Sequence, residues 1–194
     1  MPSPIISNSP HYTIPNLLTM MRVVLIPVFV IVYYLPNEGH FLIAAILFAL
    51  AGITDWFDGY LARKWRQVTK LGAFLDPVAD KLMVAAALVV LVEAHASPWL
   101  ALPALVIISR EITISALREW MAEVGKRANV SVSFLGKVKT TVQMVAITGL
   151  LAKDPLAFDA VVVLAYVLLY AATVITLWTM AIYMKAAWPD LTAR

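Results

Sequence analysis

The chain has no cysteine, three histidines and few charges of either sign: fifteen Lys and Arg against twelve Asp and Glu in 194 residues. Without cysteine there are no disulfides, thiolate nucleophiles or thiolate-held metals. His40 and His95 fall between apolar stretches and His11 lies near the start of the chain, all far from the carboxylates, so a histidine-centred metal site is not expected. With so little charge, 62% of the chain is hydrophobic and the mean hydropathy is +0.84. That is too apolar for a water-soluble domain of this length and suits a bilayer. The net charge of +3 forms no broad basic face, because the basic residues punctuate apolar runs, so nucleic acid is not an expected partner.

What is present is a series of six continuous apolar stretches, at 17–35, 41–62, 77–93, 98–118, 132–152 and 159–185. Crossing a hydrocarbon core takes about 20 helical residues. The runs are unbroken and rich in Ala, Leu and Val, which predicts helices and not alternating barrel strands. The expected fold is an all-α integral membrane protein with six transmembrane helices in one domain, 1–194. Residues 1–11, with Pro2, Pro4 and Pro10, read as a disordered tail, and the absence of a basic n-region argues against a cleaved signal peptide. The third run is the weakest, since its apolar part is confined to 82–92. Asp76-Pro77 is expected to cap and start that span, and Asn16 to cap the first.

Orientation follows from the basic residues. Arg63, Lys64, Arg66, Lys70 and Lys81 surround one connection, and Arg118, Lys126, Arg127, Lys137 and Lys139 another; Arg22, Lys185 and Arg194 belong to the same side. The opposite connections contribute only Lys153. The positive-inside rule therefore puts both termini at the cytoplasmic face. Lys126 and Arg127 are expected to meet anionic headgroups of the membrane lipids.

Four acids lie near that face. Asp55 and Asp58 are three residues apart, and Asp76 and Asp80 four apart, so each pair shares one face of a helix. Carboxylates inside apolar helices are costly and need positive partners. Either divalent metal ions holding phosphate oxygens or salt bridges to Arg22, Arg63 or Lys81 would supply them. Gly59 and Ala62 leave room beside the acids for a bulky ligand.

Asp55, Asp58-Gly59, Ala62-Arg63, Gly72, Asp76 and Asp80 match the signature of the CDP-alcohol phosphatidyltransferases, and the chain resembles that family at every fixed position. Further segments are similar to bacterial members that use sn-glycerol 3-phosphate: Asn16 to Thr19 with Arg22, Phe74 to Lys81, Arg110 to Trp120, and Gly136 to Thr140. The resemblance implies an enzyme of the inner (cytoplasmic) membrane that transfers the phosphatidyl group of CDP-diacylglycerol to glycerol 3-phosphate and releases CMP. It implies two Mg²⁺ ions, replaceable by Mn²⁺, on Asp55, Asp58, Asp76 and Asp80, with Asp80 also the proton acceptor. Donor binding would fall to Asn16, Thr19, Asp58, Gly59, Ala62, Arg63 and Gly72. A homodimer is implied as well.

A phosphorylated acceptor needs its own positive site. Arg110 stands about a dozen residues into its span, where an Arg is costly unless it faces a polar cavity. Arg118 lies two turns on, and Lys137 and Lys139 begin the next span, completing the expected acceptor set. The family signature also serves cardiolipin and phosphatidylinositol synthesis, which differ in acceptor. Aspartate-rich membrane prenyltransferases lack the Gly59 and Ala62-Arg63 elements, and an ion-coupled transporter would distribute its acids nearer the midplane.

Overall fold

In the computed structural model the described residues are 14–65, 70–125, 134–157 and 159–192. They form α1 (Ile14–Tyr33), α2 (His40–Trp65), α3 (Lys70–His95), α4 (Pro98–Glu123), α5 (Phe134–Leu151) and α6 (Ala160–Thr192), and no strand occurs among them. The all-α expectation is met, with one helix for each apolar stretch. Among the described residues, α4 and α6 are long and apolar enough to cross a membrane by length and composition alone. Shorter apolar runs, Leu17–Tyr33, His40–Asp55 and Val138–Leu151, lie in α1, α2 and α5.

Two helix starts differ from expectation. α3 begins at Lys70, so Asp76 is not its cap and Pro77 lies inside the helix. Pro77 withholds one backbone donor from the carbonyl four residues earlier, and the helix carries on past it. Similarly, α1 begins at Ile14, which places Asn16 within the first turn instead of at the cap. The tail 1–11 lies outside the described residues.

The chain divides into two compact units. In the first, Met1–Val90 with Leu151–Asp154, α1 packs along α2. The α2 positions that turn inward are mostly small: Ala44, Ala45 and Ala51 are buried beside Phe48. Phe29 of α1 meets Phe48 edge to face, with ring centroids 6.1 Å apart. The turn between these helices passes through Gly39 at φ +80°, a left-handed conformation that glycine adopts without a Cβ penalty. Within α3, Ala79, Met83 and Ala87 recur every four residues and are buried.

The second unit is Leu91–Leu150 with Pro155–Arg194. Ser97 caps α4 by accepting a hydrogen bond from Trp99 N, with Pro98 opening the helix. At the other end Gly125, at φ +76°, turns the chain away from α4. Ile114, Leu117 and Met121 of α4 bury against Tyr183 and Ala187 of α6. A Cβ on Gly149 of α5 would come within 3.1 Å of the Ala165 Cβ, so glycine permits the close approach of α5 and α6. His95, Trp99, Tyr166 and Tyr170 tie one end of this unit together: Tyr166 Oη lies 3.1 Å from His95 Nδ1, and Tyr170 donates to Trp99 O.

The outer faces are apolar. On α6, Leu164, Val167, Val174, Leu177 and Trp178 are exposed while Ala165, Leu169, Ala172 and Thr176 are buried. Exposed apolar side chains repeat in the same way on α1 and α2, at Val24, Ile31, Leu42, Ile46 and Ile53. Contiguous apolar surface of this kind is rare on a water-soluble monomer and is what lipid tails would cover.

Candidate active site

The first unit brings three of the four expected aspartates to one face of α1. Thr19 and Arg22 are three residues apart on that face, and both are buried. Arg22 Nη1 donates to Asp55 Oδ1 of α2 at 2.9 Å and to Asp80 Oδ1 of α3 at 2.8 Å. Thr19 Oγ1 donates to Asp76 Oδ1. Three helices are thus joined through one arginine and one threonine.

Exposure distinguishes the partners. Arg22 is fully buried, whereas the Asp55 and Asp80 side chains remain 40% and 43% exposed. The arginine serves as an internal counter-ion behind the carboxylates, whose open sides face away from it. Two carboxylate oxygens on a single nitrogen also define a point where positive charge is stabilised from both sides. The sequence offers Arg22 as a candidate salt-bridge partner and as part of a family-like segment with Thr19, and their three-residue spacing is the signal that both face one site.

The donor set around this point is oxygen only, which suits Mg²⁺ or Mn²⁺ and not the softer thiolate-seeking metals. Among the described residues no three His, Asp or Glu side chains close on a common metal position. Asp58 is the fourth expected ligand, and its side chain lies outside the described residues. So do the side chains of Asn16, Gly59, Ala62, Arg63 and Lys137, though all lie within helices α1, α2 and α5. Gly72 is buried on α3. Residues 126 and 127 are also outside the described part.

In the second unit, Arg110 and Lys139 meet. Both are buried, at 8% and 2% exposure, despite their charge. Glu111 Oε1 accepts from Arg110 Nη1 at 2.9 Å and from Lys139 Nζ at 2.7 Å, so one carboxylate oxygen bridges the two cations. Sequence reasoning gave Glu111 no role, although an acid beside a mid-helix arginine is as costly to bury as the arginine itself. Gln143 is buried one turn beyond Lys139 on the same face of α5. Arg118 does not join this group: it is exposed, and its guanidinium lies 5.7 Å from the centre of the Tyr183 ring. Eight residues of helix turn it well away from the Arg110 direction.

The chain belongs to the CDP-alcohol phosphatidyltransferase family, whose model matches residues 12–178. It is 55% identical over 178 residues to a CDP-diacylglycerol–glycerol-3-phosphate 3-phosphatidyltransferase of Yersinia pestis (strain Pestoides F), covering 92% of this chain and 96% of the relative. Enzymes of the same name from Pectobacterium atrosepticum and Shigella flexneri serotype 5b are each 54% identical over 181 residues, 93% of this chain and 98% of theirs.

Proposed function

We propose that the protein transfers the phosphatidyl group of CDP-diacylglycerol to the primary hydroxyl of sn-glycerol 3-phosphate, giving phosphatidylglycerophosphate and CMP. The observation that carries this conclusion is identity above half, across more than nine tenths of the chain, to enzymes of that name. The convergence of Asp55, Asp76 and Asp80 on α1 supplies a site of matching chemistry. Asp55, Asp58, Asp76 and Asp80 would hold two Mg²⁺ ions, which when bound neutralise the donor pyrophosphate and the charge on leaving CMP.

The chain's own groups perform the rest. Asp80 takes the proton of the acceptor hydroxyl, and that oxygen attacks the phosphatidyl phosphorus. The bond from this phosphorus to the CMP oxygen breaks, and CMP leaves with the electron pair. Arg22 and Thr19 hold Asp55, Asp76 and Asp80 in place beforehand, so little reorganisation is needed during reaction. Gly59 and Ala62 make room for the cytidine nucleotide and Arg63 answers its phosphate charge, with Asn16, Thr19, Asp58 and Gly72 completing the donor site. Arg110, Lys137 and Lys139 receive the acceptor phosphate, and Arg118 adds positive charge near the headgroup level.

The deciding experiment is CMP release by purified protein. Turnover should require both CDP-diacylglycerol and glycerol 3-phosphate, stop on chelation and resume with magnesium. Preference for inositol or phosphatidylglycerol would assign a different acceptor, and full activity after thorough metal stripping would remove the metal role.

All six helices are proposed to cross the inner membrane, with both termini and the aspartates cytoplasmic and the protein a homodimer. Because native cysteine is absent, single cysteines can be labelled without background. An impermeant thiol reagent added to intact cells should modify cysteines at positions 37 and 97 and spare those at 64 and 126. The reverse pattern would invert the orientation.

A further inference from the structure

The buried charges of the second unit contain a component that phosphate binding alone does not call for. Two cations that receive a phosphate need no carboxylate between them, yet Glu111 Oε1 sits on both Arg110 Nη1 and Lys139 Nζ. A single oxygen shared by a guanidinium and an ammonium is also the arrangement in which a phosphate oxygen would be held. Two further observations bear on exchange between them. The Glu111 side chain is 28% exposed, against 10% for Arg110 and 2% for Lys139, so the carboxylate is the member with a way out. Arg110 Nε is buried and has no hydrogen-bond partner among the described residues, which leaves a donor unused while Glu111 is in place.

We propose that Glu111 is an internal surrogate for the acceptor phosphate and sets the charge an acceptor must carry to bind. This rests on the conclusion that Arg110 and Lys139 receive the acceptor's phosphate. To bind, an acceptor must displace the carboxylate from the two cations. A phosphate monoester dianion brings more charge than the carboxylate and a third oxygen, enough to replace Oε1 and to engage a donor Glu111 leaves idle. A phosphodiester monoanion brings no more charge than Glu111 itself, and an uncharged polyol brings none. Displacement costs every acceptor alike, so it acts as a threshold: glycerol, inositol and phosphatidylglycerol, which repay less of it, fall below useful affinity, and the shape of the site selects further. The surrogate also keeps Arg110 and Lys139 paired between turnovers, when two buried like charges would otherwise repel.

The test is Glu111→Gln, which keeps the shape and removes the charge, measured with acceptor-varied kinetics and with inorganic phosphate as competitor. The KM for glycerol 3-phosphate should fall roughly three- to tenfold and inhibition by inorganic phosphate should tighten by a similar factor. A KM that rises or stays the same would overturn the surrogate role and leave Glu111 as an orienting partner for the cations. Arg110→Ala, run beside it, separates the two levels. If Arg110→Ala leaves the acceptor KM unchanged, the phosphate site itself is misplaced; if it raises the KM while Glu111→Gln does not lower it, only the surrogate role fails. Should Glu111→Gln fail to accumulate, Glu111→Asp retains the charge but is too short to span both cations. Tighter phosphate inhibition than in the unmodified enzyme then supports the proposal, and equal or weaker inhibition overturns it.

Discussion

Asp80→Asn should lower turnover by about two to four decades, the loss expected when a positioned proton acceptor is removed, while retaining more CDP-diacylglycerol affinity than changes at the other three aspartates. The substitution is conservative in the structure. Asparagine keeps an Oδ1 that can accept from Arg22 Nη1, so the link between α1 and α3 seen at 2.8 Å can persist without a basic oxygen. Asp55→Asn, Asp58→Asn and Asp76→Asn should behave differently, weakening metal binding and with it the hold on the donor. Single-turnover CMP release, paired with equilibrium binding of the donor at several magnesium concentrations, separates the two classes. Equal loss of donor binding across all four variants would contradict a distinct role for Asp80.

Arg110→Ala should raise the KM for glycerol 3-phosphate by roughly one to two decades and leave the KM for CDP-diacylglycerol nearly unchanged. Loss of a charge-assisted hydrogen bond costs about 1.5–3 kcal/mol, which corresponds to that range. The substitution also deprives Glu111 of one of its two cations, leaving Lys139 to hold it alone. Lys137→Ala should act in the same direction. Arg110→Lys should recover only part of the loss, because a point charge cannot reproduce the forked donors of guanidinium. An unchanged acceptor KM in Arg110→Ala would remove the cluster from substrate binding.

Periodicity and apolar run length located each helix among the described residues, because both depend on short-range pattern and not on tertiary context. The helix starts were harder. Asp76-Pro77 has the form of a cap followed by a first-turn proline, but Lys70 to Leu75 extend α3 upstream and absorb the proline inside the helix. Local rules favour a start there without forbidding the longer helix. In the site, matched spacing identified the aspartate pairs, and Asp55 and Asp80 do meet at one arginine. Which cation they meet could not be read from spacing, since Arg63 and Lys81 lie close by in sequence while Arg22 lies on another helix. Glu111 was hidden for a related reason. A lone acid beside an arginine looks like its local salt bridge, and only the fold reveals that Lys139, distant in the chain, completes the group.

The Arg22–Asp55 pair bears on how the chain enters a bilayer. A charged residue carried into a bilayer on a lone helix is costly. α1 and α2 are consecutive and joined by a short turn through Gly39, and each brings one charge of opposite sign to the other. If both cross the bilayer as proposed, a hairpin of the two would present the membrane with a neutral pair. Asp80 of α3 meets the same arginine. On that proposal the residues that gather the aspartates would also ease the partitioning of the first two helices, so a charge-removing change at Arg22 should lower the yield of inserted protein as well as its activity.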